Sequence, residues 1–217
     1  MSELALDDFL AGDGSDGSIG ALGWRTGAGT IQPQAGTTNH PGIVGLTTGT
    51  AANDSARIHL GRTVSTGVID VVNLLRWQCC LALAQTTSCV VRVGWGTDVS
   101  SSTFGSDGVW WERDTSVGTT WRLVCRSGGS STVVDSGVSG AVEYVTLAAW
   151  RQGTRWRGAV LRPTGAATFV TSAGDEPDGA ILNAGIYLET LAASAKSLGV
   201  DAWGARYARL HRLHEYL

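Results

Sequence analysis

Groups able to do acid–base or nucleophilic chemistry are few and scattered in this 217-residue sequence. No Gly-x-Ser-x-Gly elbow and no phosphate-binding loop ending in lysine is present. A glycosidase needs two carboxyl groups facing one cleft, and Glu112 and Asp114 are the pair that would share one face of a strand. No third acid follows them closely, and we expect both to face solvent. The sequence therefore predicts a protein that is not an enzyme.

Metal ligation has equally little support. His211 and His214 are three residues apart and would share a helical face, but no third ligand lies near them. His40, in an Asn-His-Pro-Gly turn, is expected to stabilise that turn. The four cysteines are Cys79, Cys80, Cys89 and Cys125. Because they lack Cys-x-x-Cys spacing, we interpret them as small buried side chains rather than zinc ligands or disulfides. We expect no metal and no cofactor.

Aromatic and arginine side chains are the stronger signal. The chain has nine tryptophans, and six of them are in its middle strands: Trp95, Trp110, Trp111, Trp121, Trp150 and Trp156. An exposed tryptophan can stack on a sugar ring, whereas a buried one fills a core. Trp110 and Trp111 are neighbours, so on a strand one should face the core and the other solvent or a subunit interface. We favour the interface, where aromatic and arginine residues are enriched. The ligand or interface candidates are Trp95, Trp110, Trp111, Arg113, Arg122 and Trp156.

Composition narrows the class of protein. The net charge is −3 and no basic run interleaves with aromatic residues, which disfavours nucleic-acid binding. No apolar run reaches the roughly 18 residues of a membrane span, and no signal peptide opens the chain. We therefore expect synthesis in a cytoplasm without membrane insertion. Only 16% of residues are charged while glycine numbers 30, a composition typical of short strands joined by tight turns.

Alternating apolar residues predict strands about every 10 to 12 residues, with no long helical period between them. The Ser-Gly-Gly-Ser run at 127–130 predicts a hairpin, and Gln152-Gly153 predicts a second one. Residues 68–75 are apolar on both faces and predict a central strand buried on both sides. This rhythm indicates an all-β, antiparallel β-sandwich or jelly roll.

The chain divides into three parts. Residues 1–20 form an N-terminal segment, partly flexible, that is available for attachment. Residues 21–207 form the sandwich. Residues 208–217 form a C-terminal tail that is either a short helix or an extension of the last strand.

Several blocks resemble one known family in the same order along the chain. They are residues 39–43 (NHPGI), 46–50 (LTTGT), 89–96 (CVVRVGWG), 107–112 (DGVWWE), 121–129 (WRLVCRSGG), 132–138 (TVVDSGV), 183–189 (NAGIYLE) and 198–203 (LGVDAW). Together they resemble the phage virion lectin-like (concanavalin-like) jelly-roll domain found in tail fibres, head fibres and capsid decoration proteins. Residues 154–161 depart from the family pattern, which puts any ligand surface on that strand in doubt.

The resemblance implies a non-enzymatic virion protein, made in a host cytoplasm and exposed on the particle surface. A capsid decoration or head-fibre protein fits best, because the domain nearly fills the chain. Its expected partners are other virion proteins of the capsid or tail, copies of itself as a trimer, and a cell-surface glycan. The alternative is a sugar-recognising tail fibre or tail-tip protein that binds the host receptor.

Overall fold

Two antiparallel sheets pack face to face in this chain. The structure is a computed structural model and describes residues 2–7, 18–20, 22–34, 42–100, 103–172, 174, 176–177 and 179–208. The strands, numbered in chain order, are β1 (Ser2–Asp7), β2 (Ser18–Ile19), β3 (Trp24–Ala28), β4 (Thr30–Gln34), β5 (Ile43–Thr47), β6 (Ser55–His59), β7 (Ile69–Asp70), β8 (Leu74–Leu83), β9 (Cys89–Gly96), β10 (Gly108–Asp114), β11 (Thr120–Ser127), β12 (Ser130–Ser139), β13 (Tyr144–Gln152), β14 (Arg155–Leu161), β15 (Ala167–Thr171), β16 (Ile181–Thr190) and β17 (Ser197–Ala208).

Sheet A has the strand order β15-β14-β13-β8-β17-β5-β4, with β1 also paired to β17. Sheet B has the order β12-β11-β10-β9-β16-β6-β3-β2, with β7 also paired to β16. The predicted all-β antiparallel sandwich is confirmed. Each sheet therefore has an inner face against the core and an outer face of its own.

Alternation along the strands decides which side chains form the core. In β8, Trp77, Cys79 and Leu81 are buried and point inward, while Gln78 and Cys80 point outward. The three other cysteines, Cys79, Cys89 and Cys125, are buried as expected, and none of the four forms a disulfide.

Tryptophan fills much of the space between the sheets. Trp203 of β17 stacks on Trp77 with ring centroids 5.6 Å apart, and meets Trp24 edge-on at 5.0 Å. Trp95 of β9 packs against the same ring at 6.0 Å. The high tryptophan content of the chain is therefore mainly a property of its core.

Both predicted hairpins are present. Ser127 pairs with Ser130, and Gly128 and Gly129 supply the positive φ angles that a two-residue turn requires. Gln152 pairs with Arg155 at the second hairpin.

The single strand predicted for residues 68–75 is wrong. The chain forms the short β7, a 3-10 turn at Val71–Asn73, and only then β8. The Asp70 carboxylate starts that turn by accepting a hydrogen bond from the Val72 amide at 3.1 Å.

The predicted boundary of the sandwich at residue 21 differs from the structure, since β1 pairs with β17 and β2 pairs with β3. β17 continues to Ala208, and the tail from residue 209, for which a short helix was one prediction, lies outside the described residues. No helix in the described part of the chain has the length and apolar character to cross a bilayer.

Candidate functional site

Three tryptophans that the sequence singled out are enclosed by the core. Trp95, Trp111 and Trp156 point between the sheets, and each exposes 1% of its surface or less. The indole N–H of Trp111 donates a hydrogen bond to the carbonyl oxygen of Ala148 in the opposite sheet at 2.9 Å. This burial corrects the role predicted for the three residues, because an enclosed ring offers no face to a sugar or a second subunit.

Trp110 lies on the opposite face of β10 from Trp111, as strand alternation predicts, yet it is only 2% exposed. The connection from β9 to β10 folds over it, placing the Phe104 ring 5.6 Å away and Val99 in the same cluster. Gly185 on β16 leaves room for this cover, since a Cβ there would lie 2.5 Å from the Cβ of Val99. The predicted interface at Trp110 is thus covered by the chain itself.

Arg113, another predicted candidate, is 1% exposed and ties loops together at one end of the sandwich. Its guanidinium donates hydrogen bonds to the carbonyl oxygens of Thr86 and Thr119, the latter at 3.1 Å. It also lies 3.4 Å from the sulfur of Cys89, where burial raises the pKa of the thiol and the nearby guanidinium opposes that rise. These contacts give Arg113 a structural role rather than a ligand-binding one.

Arg122, the last predicted candidate, belongs to a row of charged side chains on the outer face of sheet B. Its Nη2 lies 2.6 Å from Oε1 of Glu112, and Nε of Arg92 lies 2.7 Å from Oε2 of the same carboxylate. The Glu112 side chain is 12% exposed, so the expectation that it faces solvent is wrong. Both of its oxygens accept charge-assisted hydrogen bonds from arginine, which tie the side chain to the neighbouring strands.

Other side chains on this face also contact one another. Arg92 lies over the ring of Tyr187 at 5.9 Å, and the Tyr187 hydroxyl donates to Glu189 at 2.8 Å. Burial, reinforced by the Glu189 carboxylate, raises the pKa of Tyr187 to about 12. Asp114 accepts hydrogen bonds from the amide and the hydroxyl of Ser116 at 2.9 and 2.6 Å. The described acids Glu112, Asp114 and Glu189 on this face therefore each accept a hydrogen bond from a neighbouring group.

The part of the chain that the structure describes contains no group of three His, Cys, Asp or Glu side chains that could hold a metal ion. His40, His211 and His214 lie outside the described residues.

An open groove lies on the outer face of sheet A. All nine tryptophans are described, eight are buried, and the exception is Trp150 on β13. Phe169 on β15 is 68% exposed, and its ring meets that of Trp150 edge-on with centroids 6.3 Å apart. Ala148 and Ala159 form a shallow floor between the two rings, and the cavity measures about 420 Å³.

Strand alternation produces this groove. Val145, Leu147 and Ala149 of β13 are buried toward the core, so Thr146, Ala148 and Trp150 point outward. Cross-strand pairing places Ala148 opposite Ala159, which in turn lies opposite Phe169. This row of small residues thus forms the floor of the groove beside the two aromatic rings.

Four arginines surround the groove and are called here the arginine rim: Arg76, Arg151, Arg157 and Arg206. Arg76 and Arg157 lie opposite Trp150 on its two neighbouring strands, and Arg206 lies opposite Arg76 on β17. Arg76, Arg151 and Arg206 line the cavity directly. Aromatic faces and planar cations therefore occupy one continuous surface.

A second, smaller hollow of about 250 Å³ adjoins the first at Leu161 and includes Cys80, Tyr144 and Thr146. Burial raises the pKa of the Cys80 thiol to about 11, with a further contribution from Asp201. A thiol that stays protonated at neutral pH is a poor nucleophile. This hollow extends the groove but adds no reactive group.

The sequence pattern did not single out Trp150 or Phe169. The available signal was the Ala-Ala-Trp step at 148–150, where alternation sends Trp150 to the face opposite Ala149. Alternation alone does not say which outer face is left uncovered. That depends on the path of the loops, which cover Trp110 on sheet B.

Several solved structures share this fold. Peanut lectin in complex with a nonameric peptide matches with a TM-score of 0.62 and 10% identity, covering 98% of this chain and 100% of the lectin. The CBM2 module of the evolved Dit protein of Lactobacillus casei BL23 phage J-1 matches with a TM-score of 0.58 and 12% identity, covering 97% and 98%. These likenesses confirm a lectin-like jelly-roll β-sandwich.

Glycan-cleaving enzymes have the same fold. The β-glucanase of Bacillus licheniformis matches with a TM-score of 0.58 and 13% identity, covering 95% of this chain and 98% of the enzyme. The fold therefore does not distinguish a binding protein from an enzyme. No protein-family model matches the chain, and no curated protein is significantly similar to it in sequence.

Proposed function

We propose that this chain is a non-enzymatic glycan-binding module, and that the groove on the outer face of sheet A is its binding site. The observation that carries the proposal is the pairing of Trp150 with Phe169 over an alanine floor. Exposed aromatic rings beside a shallow, partly polar groove suit the apolar face of a sugar ring. The solved structures of similar fold include lectins, which supports a carbohydrate ligand.

The polar side chains around the groove suit the hydroxyl groups of a sugar. Arg76 and Arg206 offer several N–H donors in a fixed plane, and Thr146 in the adjoining hollow offers a hydroxyl. Stacking then supplies contact area while hydrogen bonds set orientation. The open shape suits one stretch of a longer chain better than an enclosed small molecule.

The non-enzymatic assignment follows from the groups at both outer faces. Glu112 is held between Arg92 and Arg122, and the groove on sheet A is lined by no carboxylate. A glycosidase of either stereochemical class requires two carboxyl groups across the scissile bond. We therefore expect the protein to bind glycans without cleaving them.

Glycan-array binding with paired variants tests this function. We expect wild-type protein to bind a defined subset of glycans, and Trp150→Ala and Phe169→Ala each to weaken that binding about tenfold or more, since a stacking ring contributes about 1–3 kcal/mol. Val117→Ala is the matched control, because Val117 is 66% exposed in a loop away from the groove. A flat array, or equal binding by all variants, would refute the proposal.

We further propose that the module is displayed on a phage-type particle, as a capsid decoration or head-fibre protein or, alternatively, as a receptor-binding tail fibre or tail-tip protein. The ordered sequence blocks support this setting, and so does the similar fold of a phage Dit module. Cryo-electron microscopy of purified particles tests it directly. Density for the domain on heads supports decoration, density on tails supports receptor binding, and particles without it contradict both.

Assembly of this chain as a trimer stays a prediction, and so does its contact with other virion proteins. The burial of Trp110 and Trp111 within one chain removes the aromatic interface first expected. Light scattering of the full chain at concentrations up to those on a particle surface provides the test, and a monomer throughout would contradict trimerisation.

A further inference from the structure

We infer that the glycan bound in the sheet A groove is acidic, with carboxylate groups that pair with the arginine rim. This inference rests on the proposed glycan-binding function and specifies its ligand class. The carboxylate of a uronic or sialic acid is planar and accepts two parallel hydrogen bonds from one guanidinium. The same sugar can present its apolar face to Trp150.

Charge distribution is the first argument. The whole chain carries a net charge of −3, yet the groove collects the four rim arginines around one tryptophan. The described acid on this face, Asp201, lies beside Cys80 and Tyr144. It is about 17 Å along β17 from Arg206 at the usual rise per residue. The groove is therefore positive in an otherwise acidic protein.

The arginines on the two outer faces have different hydrogen-bond partners. On sheet B, Arg92 and Arg122 both pair with Glu112, at 2.7 and 2.6 Å, and share its single negative charge. On sheet A, Arg76 donates to the uncharged amide oxygen of Gln78 at 3.1 Å. Among described side chains, no acid lies within salt-bridge distance of Arg76, Arg151 or Arg157, so these guanidinium groups are available to an external anion.

Like charges also face each other across the strands. Arg76 of β8 lies directly opposite Arg206 of β17. Like charges at directly opposed positions repel each other, so an anion bound at Arg76 would be attracted by this pair of cations.

The arrangement of the row also suits a polymer. Arg157, Trp150, Arg76 and Arg206 occupy four adjacent strands in that order. At about 4.8 Å between strands, the row spans about 14 Å. A stacking position with cations on both sides matches a glycan in which acidic sugars recur along the chain.

A glycan array that pairs carboxylated glycans with carboxyl-reduced or neutral glycans of the same backbone tests the inference on the full chain. We expect wild-type binding to be confined to the carboxylated members and to weaken as salt rises, because exposed charges are screened. Binding to the neutral counterparts alone, or equally to both, would overturn the inference while leaving the glycan-binding function intact. A flat array would overturn both.

Two sets of variants separate charge from stacking. Arg76→Gln with Arg206→Gln should weaken carboxylated-glycan binding about tenfold or more, as expected for loss of charge-assisted hydrogen bonds. Arg62→Gln, at an exposed arginine in the loop after β6, is the matched control and should bind as the wild type does. Trp150→Ala should weaken binding through stacking without removing its salt dependence. Equal affinity of the double variant and the control would overturn the inference.

Single-stranded nucleic acid is the competing anion, because it also combines stacking with charge. A (dT)₁₅ oligonucleotide should not displace a bound carboxylated glycan at equal charge concentration. Displacement of the glycan by the oligonucleotide would overturn the inference in favour of nucleic-acid binding.

Discussion

The ring of Phe169 meets the ring of Trp150 edge-on at 6.3 Å across the intervening strand β14. Phe169 is 68% exposed and Trp150 is half-buried, so the pair is open to solvent although its two rings already contact each other. Edge-to-face geometry is favourable for aromatic pairs and holds both rings in place before a ligand arrives. A rigid platform of this kind binds with little loss of side-chain entropy.

Stability should separate the groove tryptophan from the core tryptophans. Trp150→Ala is expected to lower the free energy of unfolding by about 1–2 kcal/mol, because the half-buried ring lies on an outer face and its loss leaves no enclosed cavity. Trp111→Ala should lower the free energy of unfolding by about 3–5 kcal/mol, since it leaves a cavity in the core and removes the hydrogen bond to the carbonyl oxygen of Ala148. Urea denaturation of both variants measures the difference. Similar losses for the two would mean that Trp150 is a core residue.

Glu112 should behave as a structural anion and not as a catalytic one. Glu112→Gln leaves Arg92 and Arg122 close together without their shared countercharge, so we expect a loss of about 3 kcal/mol in unfolding free energy. Glu143→Gln is the control, because its contact with Arg162 is 3.7 Å long and largely exposed, and it should change stability by less than about 1 kcal/mol. Denaturation curves at fixed pH give both values.

A stable Glu112→Gln protein would contradict this assignment. Removal of activity toward a β-glucan without loss of stability would go further, because it would point to an enzyme. Reducing-sugar release from soluble β-glucan by wild-type protein, compared with both variants, provides that second readout.

Local patterns predicted some parts of the fold well because the physics there is local. Two consecutive glycines between strands favour a two-residue turn, and Gly128 and Gly129 form one here. The opposite orientations of Trp110 and Trp111 follow from strand geometry alone. The strand predicted for residues 68–75 failed because one side chain, Asp70, stabilises a 3-10 turn that apolar alternation does not register.

The candidate site was harder to predict because exposure is a long-range property. Trp110 points away from the core as expected, but the β9–β10 connection covers it, and that cover depends on the space beside Gly185 in a distant strand. Trp150 remains open because no loop of the described residues crosses sheet A there. Its neighbour Arg76 lies 74 residues before it in the sequence, and its neighbour Phe169 lies 19 residues after it. No sequence motif joins the three residues.

The cover over Trp110 provides a prediction about glycine. Gly185→Ala places a methyl group 2.5 Å from the Cβ of Val99, so the β9–β10 connection must move outward. We expect a loss of about 1–3 kcal/mol in unfolding free energy, as for other overpacked sites. Amide hydrogen exchange of residues 97–100 and 103–107 should also become faster.

Gly118→Ala is the control for this change, because a Cβ at Gly118 would have no atom within 4 Å and its φ is ordinary. It should alter neither stability nor hydrogen exchange by a measurable amount. Equal protection of residues 97–100 and 103–107 in Gly185→Ala and the wild type would mean that the connection does not rest on this strand.

His59 should make stability depend on pH. Its Nδ1 lies 2.8 Å from the carbonyl oxygen of Gly61, which can only accept, so Nδ1 bears a proton. Burial lowers the pKa of His59, and the nearby charges of Arg57 and Arg25 lower it further, while the hydrogen bond to Gly61 opposes them. The folded pKa therefore lies below the ordinary value of about 6.5 that applies to the unfolded chain.

The sign of the effect follows from proton binding. Below about pH 6.5 the unfolded chain takes up a proton at His59 more readily than the folded chain, so the contribution to stability is fully present above that pH and is lost as the pH falls. His59→Asn keeps an N–H donor for Gly61 but cannot titrate, so its unfolding free energy should fall less between pH 7.5 and pH 5. Parallel urea titrations at both pH values measure this difference. Identical pH dependence in the two proteins would show that His59 is not the group responsible.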